Sequence, residues 1–167
     1  MHTGMRQGPE IWLRGPVTPP EPVPPEPPHA HAAARRFSWI GTHGGAGVST
    51  LAQVYGGQDC GRSWPRPGDP PSVLLVARTH ATGLDTVAGA VEIFRRGGAP
   101  RGLDLDAVVL VADAPGRLPR PLAQRVRALE SVIDVYRVPW VPSWRLGEFG
   151  HPPRGTRALA RLTGATH

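Results

Sequence analysis

From residue 37 onward, short apolar runs alternate with stretches whose apolar residues recur at spacings of three and four, and this alternation constrains the fold more than any other feature. It predicts βα units closing into a parallel sheet. Residues 37–41, 73–77, 107–112 and 135–138 read as strands. Residues 48–55 read as a first helix ended by Gly56 and Gly57, followed by a Pro-rich loop through Pro71. Leu84, Val87, Ala88, Val91 and Phe94 mark a second helix that stops at Gly97 and Gly98. Leu122, Val126, Leu129 and Ile133 mark a third, with Pro119 and Pro121 at or before its first turn, and residues 156–163 a short last one. The expected class is α/β in three layers: a small, mainly parallel sheet flanked by helices, with any ligand at the carboxyl ends of the strands.

Residues 1–36 lie outside that pattern. They carry P-P-E-P-V-P-P-E-P-P, which favours polyproline II and cannot build a packed core, so the chain divides into a disordered Pro-rich tail, 1–36, and one domain, 37–167. Within the tail Ile11, Trp12 and Leu13 form an apolar knot that could dock on a partner or fold back on the domain.

The loop between the first strand and helix carries chemistry. Residues 42–51 read T-H-G-G-A-G-V-S-T-L, the outline of a phosphate-binding loop without its lysine. The pattern needs glycines so that backbone N–H groups face phosphate, and a lysine to reach the β and γ phosphates. Gly44, Gly45 and Gly47 meet the first need, with His43, Ala46 and Thr50 completing the loop; Val48 stands at the lysine position. Ser49 keeps a hydroxyl where the motif places a Mg²⁺ ligand. The chain has no lysine, its 19 basic residues all being arginine, so a substitute cation must be arginine, and Arg78 at the end of the neighbouring strand is the best placed. The alternative for the loop is a tight strand-to-helix turn chosen for positive φ and close packing.

Net charge is +6 and the pI near 11.1, which permits nucleic-acid binding. The arginines are dispersed, though, with no interleaved aromatics to stack bases, and the joint absence of Lys and Asn fits a GC-rich coding sequence, so nucleic acid is not favoured. One cysteine, Cys60, cannot form an internal disulfide and suits a reducing cytoplasm. The expectation is a cytoplasmic protein with neither signal peptide nor membrane insertion. His43 and His80 end strands expected to be adjacent and could meet, but two histidines make a poor zinc site. Trp140, Trp144 and Arg145 follow the last strand and could anchor a protein partner, with one indole covering the sheet end as core.

H-G-G-A-G-V-S-T at 43–50 resembles K-G-G-x-G-K-[ST]-T, the deviant Walker A motif of the ParA/MinD-type ATPases. The resemblance puts His43 at the signature lysine that reaches across a dimer interface, and Val48 at the second lysine. V-L-L-V-A-R-T-H at 73–80 resembles V-L-L-I-D-x-D-P, with Ala77 at the aspartate that assists magnesium and water. V-L-V-A-D-A-P-G at 109–116 resembles the Walker B region and implies that Asp113 holds Mg²⁺ through water, beside Ser49; a turn or capping carboxylate is the alternative. G-T-H-G-G-A-G-V-S-T-L, A-D-A-P-G-R-L-P-R-P-L and P-W-V-P-S-W-R-L-G-E are similar to segments of an uncharacterised actinobacterial family of degenerate P-loop proteins, some near conjugative or mobile-element genes. With both lysines and one aspartate gone, the resemblance implies a pseudo-ATPase, a scaffold or nucleotide-sensing accessory protein that holds ATP and Mg²⁺ weakly or not at all. A weak dimeric ATPase, or a DNA-associated factor of a conjugative-transfer or partition system, is the alternative.

Overall fold

A computed structural model describes residues 37–165; the Ile11, Trp12 and Leu13 knot lies outside them. Five strands form one parallel sheet: β1 (Ser38–Gly41), β2 (Gln58–Asp59), β3 (Ser72–Arg78), β4 (Asp104–Val111) and β5 (Val135–Val138), in the order β2-β1-β3-β4-β5. The helices are α1 (Val48–Tyr55), α2 (Ala81–Arg95), α3 (Arg120–Glu130) and α4 (Arg157–Thr163), with a 3-10 turn at Pro142–Leu146. The α/β class with a parallel sheet flanked by helices therefore holds.

The fifth strand is an addition. β2 is only two residues long and half-exposed, so it has neither the apolar run nor the length that marks a strand in sequence. What creates it is pairing: Gln58 N donates to Phe37 O and Cys60 N to Trp39 O, which lays the chain beside β1 before it crosses to β3.

Both faces of the central strands are covered, which explains why β3 reads as an unbroken apolar run, Val73 to Ala77 being fully buried. One face packs Trp39, Leu74, Val76, Val109 and Val111 against Val48, Leu51 and Tyr55 of α1 and Leu159 and Ala160 of α4. The other packs Val73, Leu75, Val108 and Leu110 against Leu84, Val87 and Val91 of α2 and Val126 and Leu129 of α3. The Tyr55 hydroxyl donates to Thr156 Oγ1 (2.8 Å), tying the short α4 to α1. Burial pushes the Tyr55 phenol above its ordinary pKa, against the smaller opposing effect of that bond.

The strand order places β2 on one side of β1 and β3 to β5 on the other. The direction in which strands are added to the sheet reverses between β1 and β3, and in doubly wound sheets that point opens a crevice at the carboxyl ends of the strands. No helix among the described residues is long and apolar enough to cross a membrane.

Candidate functional site

The crevice forms where the loops after β1, β3, β4 and β5 converge. It is a cleft of about 510 Å³ lined by residues of the glycine loop, by Arg78, His80 and Asp113, and by Trp140, Trp144 and Arg145. The glycine loop, Arg78 and the Trp segment, far apart in sequence, thus face one space.

Gly47 sets the loop's geometry. It caps α1 with φ 104°, a left-handed conformation that side-chain-bearing residues rarely adopt. A Cβ there would lie 3.6 Å from Arg78 Nη2, so the guanidinium stands directly against the loop at the start of α1. The first backbone bond of that helix runs from Leu51 N to Gly47 O, which leaves the N–H groups of Val48, Ser49 and Thr50 without helical acceptors. Val48 is buried in the core beneath α1, so the residue at the lysine position turns its side chain away from the cleft.

Arg78 braces the site. Its backbone N–H donates to His43 Nε2 (2.9 Å), Nε donates to Gly45 O (3.2 Å) and Nη1 donates to Ala112 O (3.0 Å), so one residue joins the glycine loop to the end of β4. The ion pairs among the described residues join other arginines, Arg95 and Arg96 to Glu92, Arg125 to Asp85, and Arg137 to Glu130. Burial lowers the Arg78 pKa, and the more distant Asp113 carboxylate partly opposes that shift. A half-buried guanidinium with neutral hydrogen-bond partners is a cation short of an anion.

His43 is turned inward. Nε2 accepts from the Arg78 backbone N–H and Nδ1 donates to Gly44 O (2.8 Å), so both ring nitrogens are engaged within the loop and the end of β3. The reach across an interface implied for this position is not the conformation present. His80 caps α2, accepting at Nδ1 from Gly83 N (2.9 Å), and its ring lies 4.9 Å from that of His43. The two histidines do meet, and the described residues contain no group of three or more candidate metal ligands.

Ser49 and Asp113 are not brought together. Ser49 Oγ donates to Asp59 Oδ2 (2.8 Å) on β2, and Ser49 borders a neighbouring groove with Gly61 and Arg62, whereas Asp113 lines the cleft described above. Asp113 is exposed, its N–H held by Thr79 Oγ1 (3.1 Å). The two residues named for magnesium thus border different clefts, with the Ser49 hydroxyl engaged by Asp59. Ala46 is buried in the core and contributes no polar atom beyond its backbone. Both indoles line the cleft; Trp144 also packs against the core, while Arg145 lies over Trp140, 5.6 Å from the ring centroid.

Two site-shaping residues escape sequence reasoning. Asp59 takes the Ser49 hydroxyl and the Gly61 N–H, and its only signal is a carboxylate two residues before a glycine. Gly83, in the first turn of α2, has room for no side chain: a Cβ would lie 2.3 Å from Arg78 O and 3.0 Å from His43 Nε2. Gly83→Ala is therefore expected to destabilise the domain by about 1–3 kcal/mol through forced displacement of α2. Gly89→Ala, in the same helix but facing open space, is expected to stabilise it by about 0.5–1 kcal/mol. Urea unfolding of both variants checks the opposite signs.

Fold and site together define a doubly wound α/β domain with a cation-bearing cleft at the carboxyl ends of its strands. Residues 37–162 match the family described as a family of unknown function (DUF6668), and the chain belongs to it. No curated protein and no solved structure gave a match.

Proposed function

We propose that this protein is a non-catalytic, P-loop-like domain that holds a phosphorylated small molecule, such as a nucleotide, in the 43–50 loop and passes its presence to a protein partner through the Trp140–Arg145 segment. The observation that carries the reading is Arg78. Its guanidinium stands against Gly47, beside the free N–H groups of α1, and supplies from β3 the positive charge that Val48 withholds. Backbone donors at a helix N-terminus together with a fixed cation are what a phosphate group requires.

Turnover is not part of the proposal. Phosphoryl transfer depends on positioned cations and an oriented nucleophile, and the residues that would supply them are diverted. Ala77 is buried where the resemblance calls for an aspartate, Val48 is in the core, and the Ser49 proton is committed to Asp59. The signalling half of the reading is supported by Trp140 and Arg145 lining the same cleft as Arg78, so that a ligand there would touch both.

Calorimetric titration with ATP, ADP and GTP, with and without Mg²⁺, tests this. Binding is expected in which Mg²⁺ makes little difference, lost in Gly47→Asp, where a strained side chain would set a carboxylate beside Arg78. Absence of binding at millimolar nucleotide would make the loop architectural and retire the proposal; a strict Mg²⁺ requirement would restore the metal site.

A further inference from the structure

Beside the loop cleft lies a second one of about 550 Å³, across the ends of β4 and β5 and the 112–119 loop. Its apolar lining comes from the half-buried Leu118, in the loop before α3, and Leu122, in the first turn of α3, over sheet ends at Leu110 and Val138 whose side chains are buried. Its rim is cationic: Arg117, Arg137 and Arg154 border it, against the single carboxylate of Asp113. Arg137 is committed to Glu130 (2.7 Å), whereas Arg117 and Arg154 are exposed and make no ion pair among the described residues. Two cations remain over an apolar floor. Pro115, Pro119 and Pro139 line the cleft, and proline fixes its own φ, so the walls lose little freedom when something enters. The volume falls within the range of sites that enclose small organic molecules.

We propose that this cleft is a binding site for a small amphipathic anion, a flat or branched apolar body bearing one carboxylate or sulfonate. The body rests on Leu118, Leu122 and the prolines that line the cleft, and the anionic group faces Arg117 and Arg154. Neutral apolar molecules lack the group the rim selects, and polyanions such as inorganic phosphate lack the body. The two clefts share His80, Ala112, Asp113 and Pro139, but neither Arg78 nor the glycine loop lines this one, so the proposal does not rest on nucleotide binding.

The test uses anilinonaphthalene sulfonate, whose fluorescence rises on entering an apolar cleft, beside neutral phenylnaphthylamine, which has the same rings without the charge. The expected result is one-to-one binding of the sulfonate by the folded full chain, weakened at least about ten-fold in the Arg117→Ala/Arg154→Ala double variant. The neutral probe should bind more weakly and be indifferent to the substitution. Both arginines are exposed, so the melting transition should not move, and Arg101→Ala, away from the cleft, should leave binding intact. Failure of the sulfonate to bind, equal binding of the neutral probe, or equal loss in Arg101→Ala would overturn the proposal.

Discussion

Trp39→Ala is expected to lower the unfolding free energy by about 3–5 kcal/mol, the largest loss of any single substitution considered. Trp39 is fully buried in β1, stands edge-on to Phe37 with centroids 5.2 Å apart, and packs against Tyr55 of α1. Its indole Nε1 donates to Gly56 O (2.7 Å), the carbonyl at the end of α1. The side chain thus joins the strand entering the glycine loop to the far end of the helix leaving it. Truncation opens a cavity and strips Gly56 O of its donor, two costs that add. Since whole domains are stable by only about 5–15 kcal/mol, Trp39→Ala should leave the fold marginal. Urea denaturation separates the contributions: Trp39→Phe keeps most of the volume and loses the bond, so its midpoint should fall between those of the native chain and Trp39→Ala. Equal midpoints for the two variants would mean that the hydrogen bond, not the packing, dominates.

Much of this fold is legible in sequence because burial on both faces writes itself as apolar runs. Residues 48–55 and 135–138 are helix and strand with the expected ends, and β3 extends the expected 73–77 by one residue at each end. β4 begins three residues early, at Asp104, because Asp104, Leu105 and Asp106 alternate polar and apolar beyond the covered part of the sheet. α3 ends at Glu130; Ile133 still packs on the core, but from the turn after the helix, so an apolar stripe overstated the helix length. The 3-10 turn at Pro142–Leu146 carries no periodicity to read. In the site, Arg78 is legible only through topology, because it ends the strand beside β1 at the edge from which the glycine loop leaves. The roles of Asp59 and Gly83 were hidden because they arise from tertiary approach: a two-residue strand positions the first, and the second matters only for the Arg78 carbonyl packed against it.

The same approach of chain segments makes Arg78 the residue on which binding and architecture can be told apart. Arg78→Ala is expected to weaken nucleotide binding at least about ten-fold, the effect of losing one charge-assisted contact of about 1.5–3 kcal/mol. It also removes the donors to Gly45 O and Ala112 O, so some intrinsic stability, about 1–3 kcal/mol, should go with it. Arg78→Lys separates the two roles: an ammonium keeps the charge but cannot span both carbonyls from a planar fork. If charge governs binding, Arg78→Lys retains most of the affinity while losing stability; if bracing governs it, both variants lose both. Thermal melting adds a reading independent of calorimetry. A ligand that binds only the folded chain stabilises it by about 2.7 kcal/mol at a hundred times its Kd, so saturating nucleotide should raise the melting temperature of the native chain. In Arg78→Ala, with affinity down about ten-fold, the same nucleotide concentration should stabilise by only about 1.4 kcal/mol, so the rise should be roughly halved. A rise of equal size in Arg78→Ala would place the anion elsewhere than the 43–50 loop.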